Sequence, residues 1–67
     1  QMNLRNELAL MYRGGSKEFF HNSILIKVVF ESTGTFDIDV CDPETKDVIT
    51  HFSSTSLKEC VDFLERF

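Results

Sequence analysis

Carboxylates at alternate positions are the densest chemistry-bearing pattern in this chain: Asp37 and Asp39, with Asp42, Glu44 and Asp47 close behind. Alternate residues of a strand share a face, and hard cations take oxygen ligands, so a cation site is the chemistry this spacing would serve. The ligand spacing of an EF-hand loop is absent, and an acid-rich hairpin reads first as a solvated face. His21, Cys41, His51 and Cys60 are the candidates for zinc or for nucleophilic catalysis. Zinc sites carry at least one close ligand pair such as C-x2-C or H-x3-H, and these four residues contain none. A Cys–His nucleophile needs a thiolate in an electropositive niche, whereas Cys41 lies between Asp39 and Asp42, whose charges oppose ionisation. Gly14-Gly15-Ser16-Lys17 follows a helical stretch, the reverse of the strand-then-helix order of a phosphate loop. Neither G-x-S-x-G nor H-E-x-x-H occurs. The reading is a protein that is not an enzyme, with no catalytic residue, no metal, no cofactor and no identifiable small-molecule substrate. A small metal-binding or enzymatic protein stands as the last alternative.

The elements that must position these residues fit within one domain spanning 1–67. Hydrophobic residues make up 42% and charged residues 27%, a balance that supports a core, and no low-complexity tract divides the chain. Eleven acidic against seven basic residues give a net charge of −4. That sign disfavours nucleic-acid backbones and anionic membranes as partners. The longest apolar run, Ile24 to Phe30, is broken by Lys27 and is far shorter than a membrane span requires. Two cysteines make no disulfide framework, and no secretory signal precedes them, so two reduced thiols in a cytoplasmic chain are expected. Gln1 ahead of Met2 reads as a cloning remnant, with Met2 the natural start.

Leu4, Leu8 and Met11, with Tyr12 beside them, predict a helix over 3–13, capped by Asn3 and stopped by Gly14-Gly15. Ser16 to Asn22 has no clean period and is expected to be a connection, with at least one of Phe19 and Phe20 tucked against the core edge. Ile24 to Glu31 and Phe36 to Cys41 read as strands joined by Ser32-Thr33-Gly34, with Gly34 left-handed. A three-residue loop sets Phe30 opposite Phe36, Val28 opposite Ile38 and Ile26 opposite Val40, which places the large apolar groups on one face. Asp42 to Asp47 is a turn, with Asp and Pro in the first positions of a type I turn. Val48 to Ser53 reads as a third strand whose facing is ambiguous: by parity Val48 and Phe52 point one way, Ile49 and His51 the other. Ser56 and Glu59 form an S-x-x-E capping box ahead of the apolar stripe Leu57, Cys60, Val61, Leu64. The expected fold class is α+β: a two-layer domain in the order helix, three-stranded antiparallel β meander, helix.

That order resembles the double-stranded RNA-binding domain. Asn6-Glu7-Leu8 on the first helix, and Ser53 to Lys58 leading into the last, are loosely similar to that family's pattern. The resemblance implies an RNA-binding module as an alternative function. The chain departs from the family where the chemistry lies. Ser32-Thr33-Gly34 stands where the family has a Gly-Pro-x-His-type loop, and only Lys58 stands where it has a Lys-rich helix start.

With Ile26, Val28, Phe30, Phe36, Ile38 and Val40 turned to the helices, the opposite sheet face carries Leu25, Lys27, Val29, Asp37, Asp39, Ile49 and His51. A sheet with one solvated face alternates more cleanly than this. Mixed apolar and acidic residues mark a contact surface, and a small domain gains stability by associating. The expected function is a small acidic regulatory module that binds a protein partner, or itself as a homodimer, through that face.

Overall fold

A computed structural model describes residues 3–67, so the reading of Gln1 and Met2 lies outside the described residues. The chain runs α1 (Leu4–Ala9), β1 (Ser16–His21), β2 (Ile24–Phe30), β3 (Phe36–Cys41), β4 (Val48–Ser54), α2 (Leu57–Leu64). The four strands form one antiparallel sheet in the order β1-β2-β3-β4, with the helices on one side. The class is α+β as expected, but the sheet has four strands rather than three.

The additional strand is the segment expected to be a connection. Ser16–His21 pairs with β2 from Ser16↔Val29 to His21↔Ile24. Its turn, Asn22-Ser23, has φ of 50° and 67°, the left-handed pair that a two-residue hairpin needs. The strand gave no alternation because each face receives both a charge and a ring. Lys17 and Phe19 point toward the helices, while Glu18 and Phe20 point away. Phe19 packs against the core and Phe20 stays exposed. The added strand also removes the match in element order to the double-stranded RNA-binding domain.

The β2–β3 register is the one the three-residue loop dictates, Phe30↔Phe36, Val28↔Ile38 and Ile26↔Val40. Gly34 sits at φ 92°, and the loop closes with Glu31 N–H donating to Thr35 O at 2.8 Å. Phe30 and Phe36 stack with centroids 4.2 Å apart. The Asp42 turn is held by Asp42 Oδ1, which accepts from the N–H groups of Glu44 (2.8 Å) and Thr45 (3.0 Å).

The first helix is shorter than its apolar spacing implies. Gly14 N–H donates to Phe30 O (2.6 Å) and Gly15 O accepts from Phe30 N–H (2.9 Å), so the chain leaves the helix after Ala9 to bring these glycines, just past the expected span, alongside β2. Leu8 is fully buried and Leu4 and Met11 pack on the core, but Tyr12, beyond the helix, is exposed rather than beside the stripe. Asn3 caps α1 as expected, its Oδ1 accepting from Arg5 N–H at 2.9 Å. Lys17 supplies the other end, donating to Glu7 O at 3.1 Å and pairing with Glu7 Oε1 at 2.7 Å.

At α2, Ser56 Oγ accepts from Glu59 N–H (3.2 Å), the first half of the capping box. The return half is relayed. Ser56 N–H donates to Ser54 Oγ (3.0 Å), and Ser54 Oγ donates to Glu59 Oε1 (2.9 Å). Cys60, Phe63 and Leu64 are buried against Ile38, Val40 and Leu8, while Phe52 stacks on Phe63 at 4.7 Å. Among the described residues, no helix is long and apolar enough to cross a membrane.

Candidate functional site

The uncovered face of the sheet is built in three rows, because residues directly opposite in antiparallel strands share a side. One row is Ser16, Val29, Asp37, Ser53; the next is Glu18, Lys27, Asp39, His51; the third is Phe20, Leu25, Cys41, Val48. Leu25, Lys27, Val29, Asp37, Asp39 and His51 therefore all lie on this face. Ile49 is the unpaired residue of a β-bulge opposite Cys41 and is 61% exposed. The bulge breaks the parity read from sequence. Val48 pairs with the outer residue Cys41, whereas Phe52 pairs with the inner Ile38, so the two do not share a side.

The third row is partly closed. Leu25 and Cys41 are buried yet stand apart from the main core. Phe20, Pro43 and Lys46 meet Leu25 around a shallow cavity of about 300 Å3. Leu25 is thus shielded under the Asp42 turn rather than open for contact.

The middle of the face carries a continuous polar chain. Asp39 Oδ1 lies 2.7 Å from His51 Nδ1, His51 Nε2 lies 2.8 Å from Ser53 Oγ, and Ser53 Oγ donates to Asp37 Oδ1 at 2.5 Å. Glu31 joins at the end: its hydrogen bond with Asp37, then the Asp37 charge, raise it above its ordinary value. Asp37 is held low by that same bond and then by the one from Ser53. Donor counting fixes what the chain can do. A carboxylate only accepts, so the proton between Asp39 and His51 sits on Nδ1 and the Ser53 hydroxyl proton goes to Asp37.

Asp39, His51 and Ser53 stand in the order of an acyl-transfer triad. The serine proton, however, is directed at Asp37 rather than at the histidine. Strand N–H groups lie in the sheet plane, at right angles to the side chains, so none of β4's is aimed where an oxyanion over Ser53 would form. The arrangement holds the His51 and Ser53 side chains in fixed orientations on the open face. Among the described residues, no three His, Cys, Asp or Glu side chains gather so as to hold a metal ion.

The thiols are free, and they lie on opposite sides of the sheet. Burial, then the Glu59 charge, pushes Cys60 up to about 11. Burial also raises Cys41, with Lys27 opposing and Asp39 and Glu18 adding to the shift.

Charge is unevenly distributed. Six acidic residues and two lysines lie between Ile24 and Ser54, so the whole net charge of −4 sits on that stretch, and the remainder carries five of each sign. Lys58, the one basic residue at the start of α2, is paired with Asp62 at 2.8 Å. Sequence reasoning missed Ser53, Glu31, Phe20 and Val48. The β4 register, once known, places Ser53 opposite Asp37 and Val48 opposite Cys41.

The fold and this face define a two-layer α+β domain with an open, acidic sheet surface. Comparison with protein-family models, with curated proteins and with solved structures finds no match for the chain.

Proposed function

We propose that the protein is a non-enzymatic interaction module whose open sheet face docks a partner protein through a basic surface. One observation carries this reading. The face left bare by both helices holds Asp37, Asp39 and Glu18 around a single lysine, with Val29 (43% exposed) and Phe20 (67%) at its margins. Apolar side chains of this size on an uncovered face favour contact, and the surrounding charge steers a basic partner onto it. Two unpaired thiols fit a cytoplasmic setting.

The test compares wild type with the Asp37→Lys/Asp39→Lys double variant, each immobilised and exposed to extract from cells that make the protein. Retained proteins are quantified at low and high salt. The expected result is at least one protein held by wild type, released by salt and lost by the folded double variant. A retained set identical between the two at both salt levels would refute the docking face. Light scattering across a concentration series, on wild type and Val29→Glu, settles whether the partner is a second copy. A dimer that Val29→Glu dissolves identifies self-association, and a monomer in both removes self-association and leaves the face for a foreign partner, or for nothing.

A further inference from the structure

β4 is an edge strand, and its outer edge is unprotected. Proteins usually blunt such edges with lysine, proline or a bulge. Here Val48–Ser54 has no Lys, Arg, Asp, Glu or Pro, and the bulge is confined to its start, leaving Thr50 to Ser54 regular. The opposite edge, β1, carries Lys17 and Glu18, and its turn is tied down by Asn22 Nδ2 donating to Phe67 O at 2.9 Å.

The register shows which backbone groups are unspent. Glu31 and Thr35 are bonded across the hairpin, so Val29, Lys27 and Leu25 direct their backbone groups to β3. By alternation Phe36, Ile38 and Val40 direct theirs to β4, where Ser54, Phe52 and Thr50 answer them. The N–H and C=O of His51 and Ser53 therefore point away from the sheet. Among the described residues, neither forms a backbone bond outside the ladder.

A groove of about 350 Å3 runs beside this edge on the helix side, lined by Phe52, Phe63, Glu59, Asp62 and Arg66. Its floor is the stacked Phe52–Phe63 pair, and two of its three charged rim residues are acidic. On the other side of β4 stand His51 and Ser53, with Asp39 and Asp37 one strand further in.

We propose that the β4 edge is a strand-addition site for an extended, basic polypeptide segment of a partner. Alternate side chains of an added strand fall on opposite sides of the sheet. Those on the helix side meet the groove, which takes an apolar group onto Phe52 and Phe63. Those on the open side lie two strand spacings, about 10 Å, from Asp37 and Asp39, within reach of a long basic side chain. The occupant is an alternation of apolar residues with Lys or Arg. A second copy of this chain is disfavoured as occupant, because each copy brings a net charge of −4. The site shares Asp37 and Asp39 with the docking face, but its backbone edge and its apolar groove lie outside that face.

The test selects linear peptides from a displayed random library on the full chain, then measures each on two variants. Ser53→Pro deletes an edge N–H, a change that edge strands tolerate. A synthetic chain with N-methyl-Ser53 deletes the same donor, keeps the side chain, and serves if Ser53→Pro misfolds. The expected result is enriched peptides alternating apolar and basic residues. They lose affinity about tenfold or more on both variants and protect the His51 and Ser53 amides from hydrogen exchange. Three outcomes would overturn the proposal: no linear peptide is enriched, enriched peptides bind the N-methyl chain unchanged, or the N-methyl group abolishes a dimer that is present in wild type.

Discussion

Lys17→Met isolates the most exposed weakness of the fold, the buried carboxylate of Glu7. The Glu7 side chain is 3% exposed, one oxygen pairs with Lys17 Nζ at 2.7 Å, and the other, Oε2, is buried with no hydrogen-bond partner. Methionine keeps the stem of Lys17 but removes the charge that compensates this group. Breaking a buried pair from one side costs about 3–5 kcal/mol, because a charge is left uncompensated in a poor solvent. A chain of this length has a total margin of roughly 3–10 kcal/mol. Lys17→Met is therefore expected to lower the melting temperature by on the order of 20 °C, followed by circular dichroism with a reversibility check. Adding Glu7→Leu removes the orphaned charge, and most of the loss should return. About 1 kcal/mol stays missing, because Lys17 also serves the Glu7 carbonyl at the end of α1. A single variant as stable as wild type, or a double variant no better than the single, would refute the reasoning.

Ser23→Gly should raise the melting temperature by about 2–4 °C, since Ser23 holds φ 67° where glycine carries no steric penalty; a fall in a thermal melt would contradict the turn geometry. Both thiols should resist an aromatic disulfide reagent in the native state and react fully in denaturant, Cys60 because burial lifts it to about 11 and Cys41 because burial raises it too. Labelling at the rate of a free thiol would place either cysteine at the surface. Asp42 lies below its ordinary value of 3.8, chiefly through the Thr45 and Glu44 N–H groups, so its stabilisation is full above pH 3.8 and lost as pH falls through the folded value. Glu31 has the opposite sign: raised above 4.5 by Asp37, it contributes below that pH and loses the contribution as pH rises through its folded value. Asp42→Ala should flatten the acid limb of a denaturation series and Glu31→Gln should not, and the reverse ranking would count against both assignments.

Much of the architecture was legible where local chemistry and side-chain parity agree. Gly34 fixed a loop length, the loop length fixed the β2–β3 register, and that register sorted the apolar residues of two strands onto one side. Asn3 and Ser56 marked helix starts for the same reason, since a cap is a short-range bond. The first strand was not legible, because Phe19 and Phe20 are adjacent and Asn22-Ser23 lacks the glycine that usually announces such a hairpin. The helix over 3–13 ends early although Leu4, Leu8 and Met11 all reach the core, because Gly14 and Gly15 bond to Phe30 and the chain leaves the helix after Ala9 to reach it. Leu25 was placed on the correct side but not on an open surface, since only the fold of the Asp42 turn reveals its cover.

The bulge at Val48 and Ile49 explains both the ambiguity and the site. With Val48 opposite Cys41 and no extra residue, Ile49 would face Val40, Thr50 would face Asp39, and His51 would fall opposite Ile38 beneath the helices. A titratable ring would then enter the core while Phe52 turned to water, a double penalty in burial. One unpaired residue shifts the phase of everything after it. Phe52 reaches Ile38 and stacks on Phe63, and His51 and Ser53 reach Asp39 and Asp37. The demand of the core for Phe52 and the polar chain on the open face are thus satisfied by the same irregularity. The same shift turns the unspent backbone groups of His51 and Ser53 outward, so the acidic face and the open edge share one structural cause.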